Sequence, residues 1–137
     1  MKRAFAAGAA ALALLTGCGG GATNQDQITK VLGTYYQAFA NGDGPTACAQ
    51  LAKDTVKNLE KQARGRSCSD VLNQALQQPD YAAIAAKLKN AKFSNITAVD
   101  GKATAAVLVP GVAGKDVRTS VQLKKEGDSW KIVTALR

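Results

Sequence analysis

Three cysteines, Cys18, Cys48 and Cys68, are the most chemically distinctive residues of this 137-residue chain. A thiol acts as a nucleophile when a neighbouring base, usually histidine, takes its proton, and the chain contains no histidine. A structural zinc site takes four ligands. Isolated cysteines without histidine do not supply them, so no metal is implied, and no cofactor. Acid–base chemistry would fall to the 10 Asp and Glu residues and the 3 tyrosines. An isomerase-type centre needs a carboxylate base and an oxyanion-stabilising donor together in one apolar pocket. Tyr35 or Tyr36 can supply a phenol. Whether a carboxylate joins it depends on the elements that position both.

Residues 26–41 place Ile28, Val31, Leu32, Tyr35, Tyr36 and Phe39 within about 140° of a helical wheel, with Lys30, Thr34 and Gln37 opposite. This predicts an amphipathic helix capped by Asn24 or Asp26 and ended by Asn41-Gly42-Asp43-Gly44. A second helix starts at Pro45, either unbroken to Ala63 or interrupted on the way, with Cys48, Leu51, Ala52, Val56 and Leu59 on its apolar face and a stop at Gly65. Ser67-Cys68-Ser69-Asp70 opens a third helix with an inward face of Cys68, Val71, Leu72, Ala75 and Leu76, ended by Pro79. A fourth covers residues 81–89 with Tyr81, Ile84 and Leu88 inward.

The second half changes period. Strands are expected over residues 93–99 and 103–109, joined by Asp100-Gly101, a strong hairpin signal. Alternation at Val117, Thr119, Val121 and Leu123 marks a third strand, and at Trp130, Ile132, Thr134 and Leu136 a fourth. Helices first and an antiparallel meander second make an α+β domain. Asp100, Asp116, Glu126 and Asp128 fall in turns or at strand ends, and Asp54 and Glu60 lie off the apolar face of the second helix. No carboxylate is placed on the inward faces, which predicts a non-enzymatic interior.

The sequence around Cys18 sets the cellular context. Met1-Lys2-Arg3 is cationic, and residues 4–15 contain only Ala, Phe, Leu and one Gly. This is a charged n-region followed by an h-region, too short to span a bilayer, which needs roughly 20 apolar residues. The run ends Leu15-Thr16-Gly17-Cys18, which resembles the bacterial lipobox. The resemblance implies diacylglycerol on the Cys18 thiol and cleavage after Gly17. Residues 1–17 are then a lipoprotein signal peptide, and Gly-rich residues 18–25 a flexible tether. Residues 26–137 form one domain, exported and lipid-anchored to the outer face of the cell membrane, with two acyl chains for stable attachment.

With Cys18 acylated, Cys48 and Cys68 remain as a pair in a compartment where disulfides persist. Both lie on apolar helix faces, and the turn at Gly65 lets those helices pack side by side, so a Cys48–Cys68 disulfide is expected. Two buried free thiols are the other reading. Without Lys2 and Arg3 the cations fall from 18 to 16 against 10 acids, a net charge of +6. These cations are scattered, and Arg64-Gly65-Arg66 is too small a group to bind nucleic acid.

The tyrosine-bearing first helix, the Asn41-Gly42-Asp43 turn, the Pro45-Thr46-Ala47-Cys48 helix start and the late stretch over residues 124–132, ending Trp130-Lys131-Ile132, form a recognisable set. Together they resemble the nuclear-transport-factor-2-like superfamily, and especially its small exported actinobacterial lipoproteins. The resemblance implies a curved antiparallel sheet of about four strands wrapped around the helices as a cone. The superfamily holds isomerases and dehydratases as well as binding and structural domains. Three functions follow: a non-enzymatic domain binding a small apolar ligand or a partner protein at the cell surface, a pocket enzyme of isomerase or dehydratase type, and a basic module for anionic wall polymers or headgroups. Tyr35, Phe39 and Trp130 either line the mouth of the cone, with the Tyr35 hydroxyl as the polar contact, or fill it as core. Tyr81 and Phe93 read as packing.

Acylation at Cys18 carries a direct expectation. Cys18→Ala should release the protein from membranes or stall its processing, followed by fractionation and immunoblotting. Normal retention and maturation of that variant would exclude the lipid anchor.

Overall fold

The computed structural model describes residues 23–134. The signal peptide, Cys18 and most of the tether lie outside them. Helix α1 (Asn24–Ala40) begins earlier than the sequence suggested. Its cap is Thr23, whose hydroxyl oxygen accepts from the Asp26 N–H, while Asp26 accepts from the Thr23 N–H and hydroxyl. Asp26 is therefore the third-position partner of a capping box and not the cap itself. Asn24 and Gln25, expected in the tether, belong to α1.

The second expected helix is two. Helix α2 (Gly44–Ala49) is capped by Asp43, which accepts from the Thr46 N–H, and α3 (Lys53–Gln62) follows after a break. Apolar periodicity runs through the break, but backbone pairing with distant chain overrides it. Strand β4 (Ser129–Ile132) meets Leu51 in a parallel bridge: the Ala52 N–H donates to the Ile132 carbonyl at 2.8 Å, and the Ile132 N–H to the Gln50 carbonyl at 2.8 Å. Extended residues cannot also be helical. Ala52 has no capping side chain, and the Glu126 carboxylate accepts from the Lys53 N–H at 2.9 Å instead. Lys124 reaches Asp54 at 3.0 Å, and that hydrogen bond holds the Asp54 carboxyl below its ordinary value.

Helix α4 (Cys68–Leu76) has the expected Ser67 cap, and the Glu60 carboxylate of α3 accepts from the Cys68 N–H. Pro79 both follows α4 and opens α5 (Pro79–Leu88). The disulfide joins Cys48 of α2 to Cys68 of α4, with Cα atoms 6.1 Å apart. Beside it Gly44 makes the close approach possible, because a Cβ there would sit 2.8 Å from the Ser69 carbonyl oxygen.

Strands β1 (Lys92–Val99), β2 (Lys102–Val112), β3 (Lys115–Glu126) and β4 form an antiparallel meander in sequence order. Asp100 and Gly101 both have positive φ, 50° and 74°, as a type I′ hairpin turn requires. Side chains alternate across the sheet. Ala103, Ala105, Val107, Val109, Val121, Leu123, Trp130 and Ile132 face inward and are buried. The α1 stripe of Ile28, Leu32, Tyr35 and Phe39 belongs to the same core. The architecture is α+β, five helices ahead of a four-stranded curled sheet.

The disulfide closes a loop across a sequence separation of 20 residues, which in the chain-entropy model stabilises by roughly 3 kcal/mol. The Cys48→Ala, Cys68→Ala double variant should lose about that much in urea unfolding. An unchanged midpoint and slope would contradict a stabilising cross-link.

Candidate functional site

Strands β2 and β3 run 11 and 12 residues, while β4 has only 4. Their far ends, toward the β2–β3 turn, extend beyond the part of the sheet that β4 completes. There a cavity of about 630 Å³ opens between the C-terminal end of α1, the length of α5 and the inner sheet face. Tyr36 and Phe39 line it from α1, and Tyr81, Ile84 and Leu88 from α5. Val109, Val112, Val117 and Val121 supply its floor. Val117, an apolar residue 44% exposed, stands at the open side. The size and lining suit a small apolar molecule.

The polar part of the wall is concentrated on one side, at Arg118, Thr119, Ser120 and Thr134. Apart from the tyrosines and Trp130, no described residue with a charged or polar side chain is buried, and no Asp or Glu lines this cavity. Tyr36 brings a phenol. Burial pushes its pKa up to about 12, so it stays protonated and able to donate. Its ring stacks on Phe93, with centroids 5.8 Å apart, so Phe93 packs as expected.

Tyr35, Phe39 and Trp130 are all buried in the core, the filling alternative, and they do not share one mouth. Phe39 lines the cavity. Tyr35 does not: its side chain is fully buried, edge-on to Tyr36 and stacked on Phe39. One residue along the helix is 100° around it, and this turns Tyr36 rather than Tyr35 toward the cavity. Trp130 sits at the other end of α1. Its indole N–H donates to Asn24, with Lys125 lying 5.8 Å from the ring centroid. Asn24 and Phe39 are about 22 Å apart along the helix axis at 1.5 Å per residue. Trp130 borders instead a small depression with Gln27, Lys30 and Lys131. Tyr81 packs against the core as expected and also lines this cavity. Its helical spacing with Ile84 and Leu88, and the alternation of Val117, Thr119 and Val121, were the available signals.

A second groove of about 620 Å³ lies near the β1–β2 turn, among Thr97, Val99, Thr104 and Lys124. It is shallower in chemistry: Thr97 and Thr104 hydrogen-bond each other, and Lys124 is engaged by Asp54. Among the described residues no cluster of three or more His, Cys, Asp or Glu could hold a metal, and no helix is long and apolar enough to cross a membrane.

No protein-family model matches the chain, and no curated protein sequence matches it. A solved structure does. A Campylobacter jejuni protein provisionally named as an NTF2-like transpeptidase aligns with a TM-score of 0.51 at 15% identity, over 82% of this chain and 100% of that one. The fold is thus nuclear-transport-factor-2-like, as the sequence resemblance implied.

The Tyr36 phenol offers a pH test. An unfolded tyrosine ionises near 10 and this one at about 12. The folded state holds its proton more tightly, so the associated stability is complete below pH 10 and is lost as pH rises toward 12. Phenolate absorbance should show a late-ionising component that shrinks in Tyr36→Phe, and that variant should lose less stability over the same interval. Identical titrations of the two proteins would contradict the burial of this hydroxyl.

Proposed function

We propose that this chain is a bacterial lipoprotein, exported and held at the outer face of the cell membrane through Cys18, whose domain binds a small apolar ligand without transforming it. The observation that carries the reading is the cavity at the end of α1: aliphatic and aromatic on most sides, polar on one, and without a carboxylate in its wall. The lipobox-like Leu15-Thr16-Gly17-Cys18 and the paired Cys48 and Cys68 support export. The +6 charge of the mature chain is spread over its surface, which favours a defined cavity over a basic patch as the binding element.

An isomerase or dehydratase is the second reading, and Tyr36 is the observation in its favour, since a protonated phenol is the donor half of such a centre. The base half lacks a candidate in the wall. The Campylobacter protein's name refers to transpeptidation, which would call for an activated nucleophile. In this chain Cys48 and Cys68 are bound to each other, and Ser120 has no histidine to activate it.

Nile red, a neutral apolar dye, tests the binding reading. It should bind the purified protein with a blue-shifted, saturable emission. Ile84→Trp, which fills the cavity from α5, should reduce that affinity at least tenfold while leaving the circular dichroism unchanged. Equal binding by a folded Ile84→Trp variant would place the dye elsewhere and refute the site.

A further inference from the structure

The cavity wall is chemically one-sided, and this bears on the ligand's head. Beyond residue 123, going back along β3, β4 no longer pairs with it, and β3 becomes the edge of the described sheet. Gln122 shows which way that edge faces: its N–H donates to the Thr134 hydroxyl oxygen at 2.9 Å, and its carbonyl accepts from the Val133 N–H at 2.8 Å. Both groups point to the β4 side. Backbone direction repeats every second residue in a strand, so the N–H groups of Ser120 and Arg118 point the same way, and no described residue pairs with them. This is why two residues whose side chains alternate toward the outer face still border the cavity. The Thr134 oxygen is occupied as an acceptor, which leaves its proton to donate. Arg118 makes no ion pair or side-chain hydrogen bond among the described residues. The edge N–H groups of Arg118 and Ser120 and the Thr134 hydroxyl therefore border one side of an apolar chamber, the exposed Arg118 side chain starts from that same edge, and no carboxylate lines the chamber. The nearby acids are outside: Asp116 accepts from the Gly111 N–H, and Asp80 lies in the first turn of α5.

We infer that the ligand is an amphipathic carboxylate, a single apolar tail with an anionic head, bound tail-inward among Phe39, Ile84, Leu88 and Val109 with its head at the β3 edge against Arg118 and Ser120. This rests on the ligand-binding reading above and goes further, to the charge of the ligand. A cationic or neutral head would meet the same donors with less to accept from them. A carboxylate accepts charge-assisted hydrogen bonds, about twice as strong as neutral ones, and Arg presents a planar fork that matches it.

The test is displacement of Nile red from the full chain by dodecanoate, dodecanol and dodecylamine, which share one tail. Dodecanoate should displace the dye at about tenfold lower concentration than the other two. Arg118→Gln should abolish that preference, bringing dodecanoate to the displacement concentration of dodecanol in the same variant, and Arg118→Lys should retain part of it. Equal displacement by acid and alcohol, or a preference that survives Arg118→Gln, would overturn the head-group inference while the apolar pocket stands. Failure of the dye and all three amphiphiles to bind would overturn both. Arg118-dependent binding to phosphatidylglycerol vesicles without displacement by free dodecanoate would assign the edge to membrane headgroups and overturn the free-carboxylate ligand.

Discussion

Everything in this domain depends on how the apolar stripe of α1 lies across the inner face of the sheet. Ile28, Leu32 and Tyr35 are almost completely removed from water there, against Val107, Leu123 and Ile132. Burial of such apolar side chains stabilises by about 1.5–3 kcal/mol each, so this contact contributes strongly to fold stability. It also sets the limit of the core. The helix ends at Ala40, while β2 and β3 run on toward Val112 and Lys115. Sheet without helix above it leaves a chamber, and α5 supplies its remaining wall.

The other helices are held by polar groups placed at their ends. Glu126 reaches from β3 to the start of α3, Glu60 from α3 to the start of α4, and Thr55 donates to the Val133 carbonyl. The disulfide fastens α2 to α4 across the Gly44 contact. These carboxylates serve helix termini, where unpaired N–H groups and the helix dipole favour them. The chemistry of the cavity follows from that distribution. Acids cap the scaffold, and the chamber keeps apolar walls with donors at one edge.

Much of this was legible along the chain. The 3.6-residue period of α1, the Ser67 cap, the Asp100-Gly101 turn and the alternation of β3 are local signals, and local signals survive into the structure. The break at residues 50–52 was not legible, because its cause is hydrogen bonding to Ile132, some eighty residues away. The cavity was half legible. Inward positions such as Phe39, Ile84 and Val121 follow from periodicity. Which of Tyr35 and Tyr36 meets the cavity depends on how far α1 rolls against the sheet. Trp130 was drawn away by Asn24, a partner on the far end of the same helix. Arg118 and Ser120 carry no motif at all. They border the cavity because β4 is short, and strand length relative to a neighbour is a property of pairing, not of local sequence.

The chamber at the end of α1 has the size and lining of a site for a small apolar ligand. Native mass spectrometry of the protein isolated from its own cells in mild detergent, without organic solvent, would reveal such an occupant. The expected result is a one-to-one noncovalent adduct that disappears on denaturation and is missing from a folded variant whose chamber is filled by a larger side chain. An intact mass equal to the denatured mass, or an adduct retained by the filled variant, would contradict it.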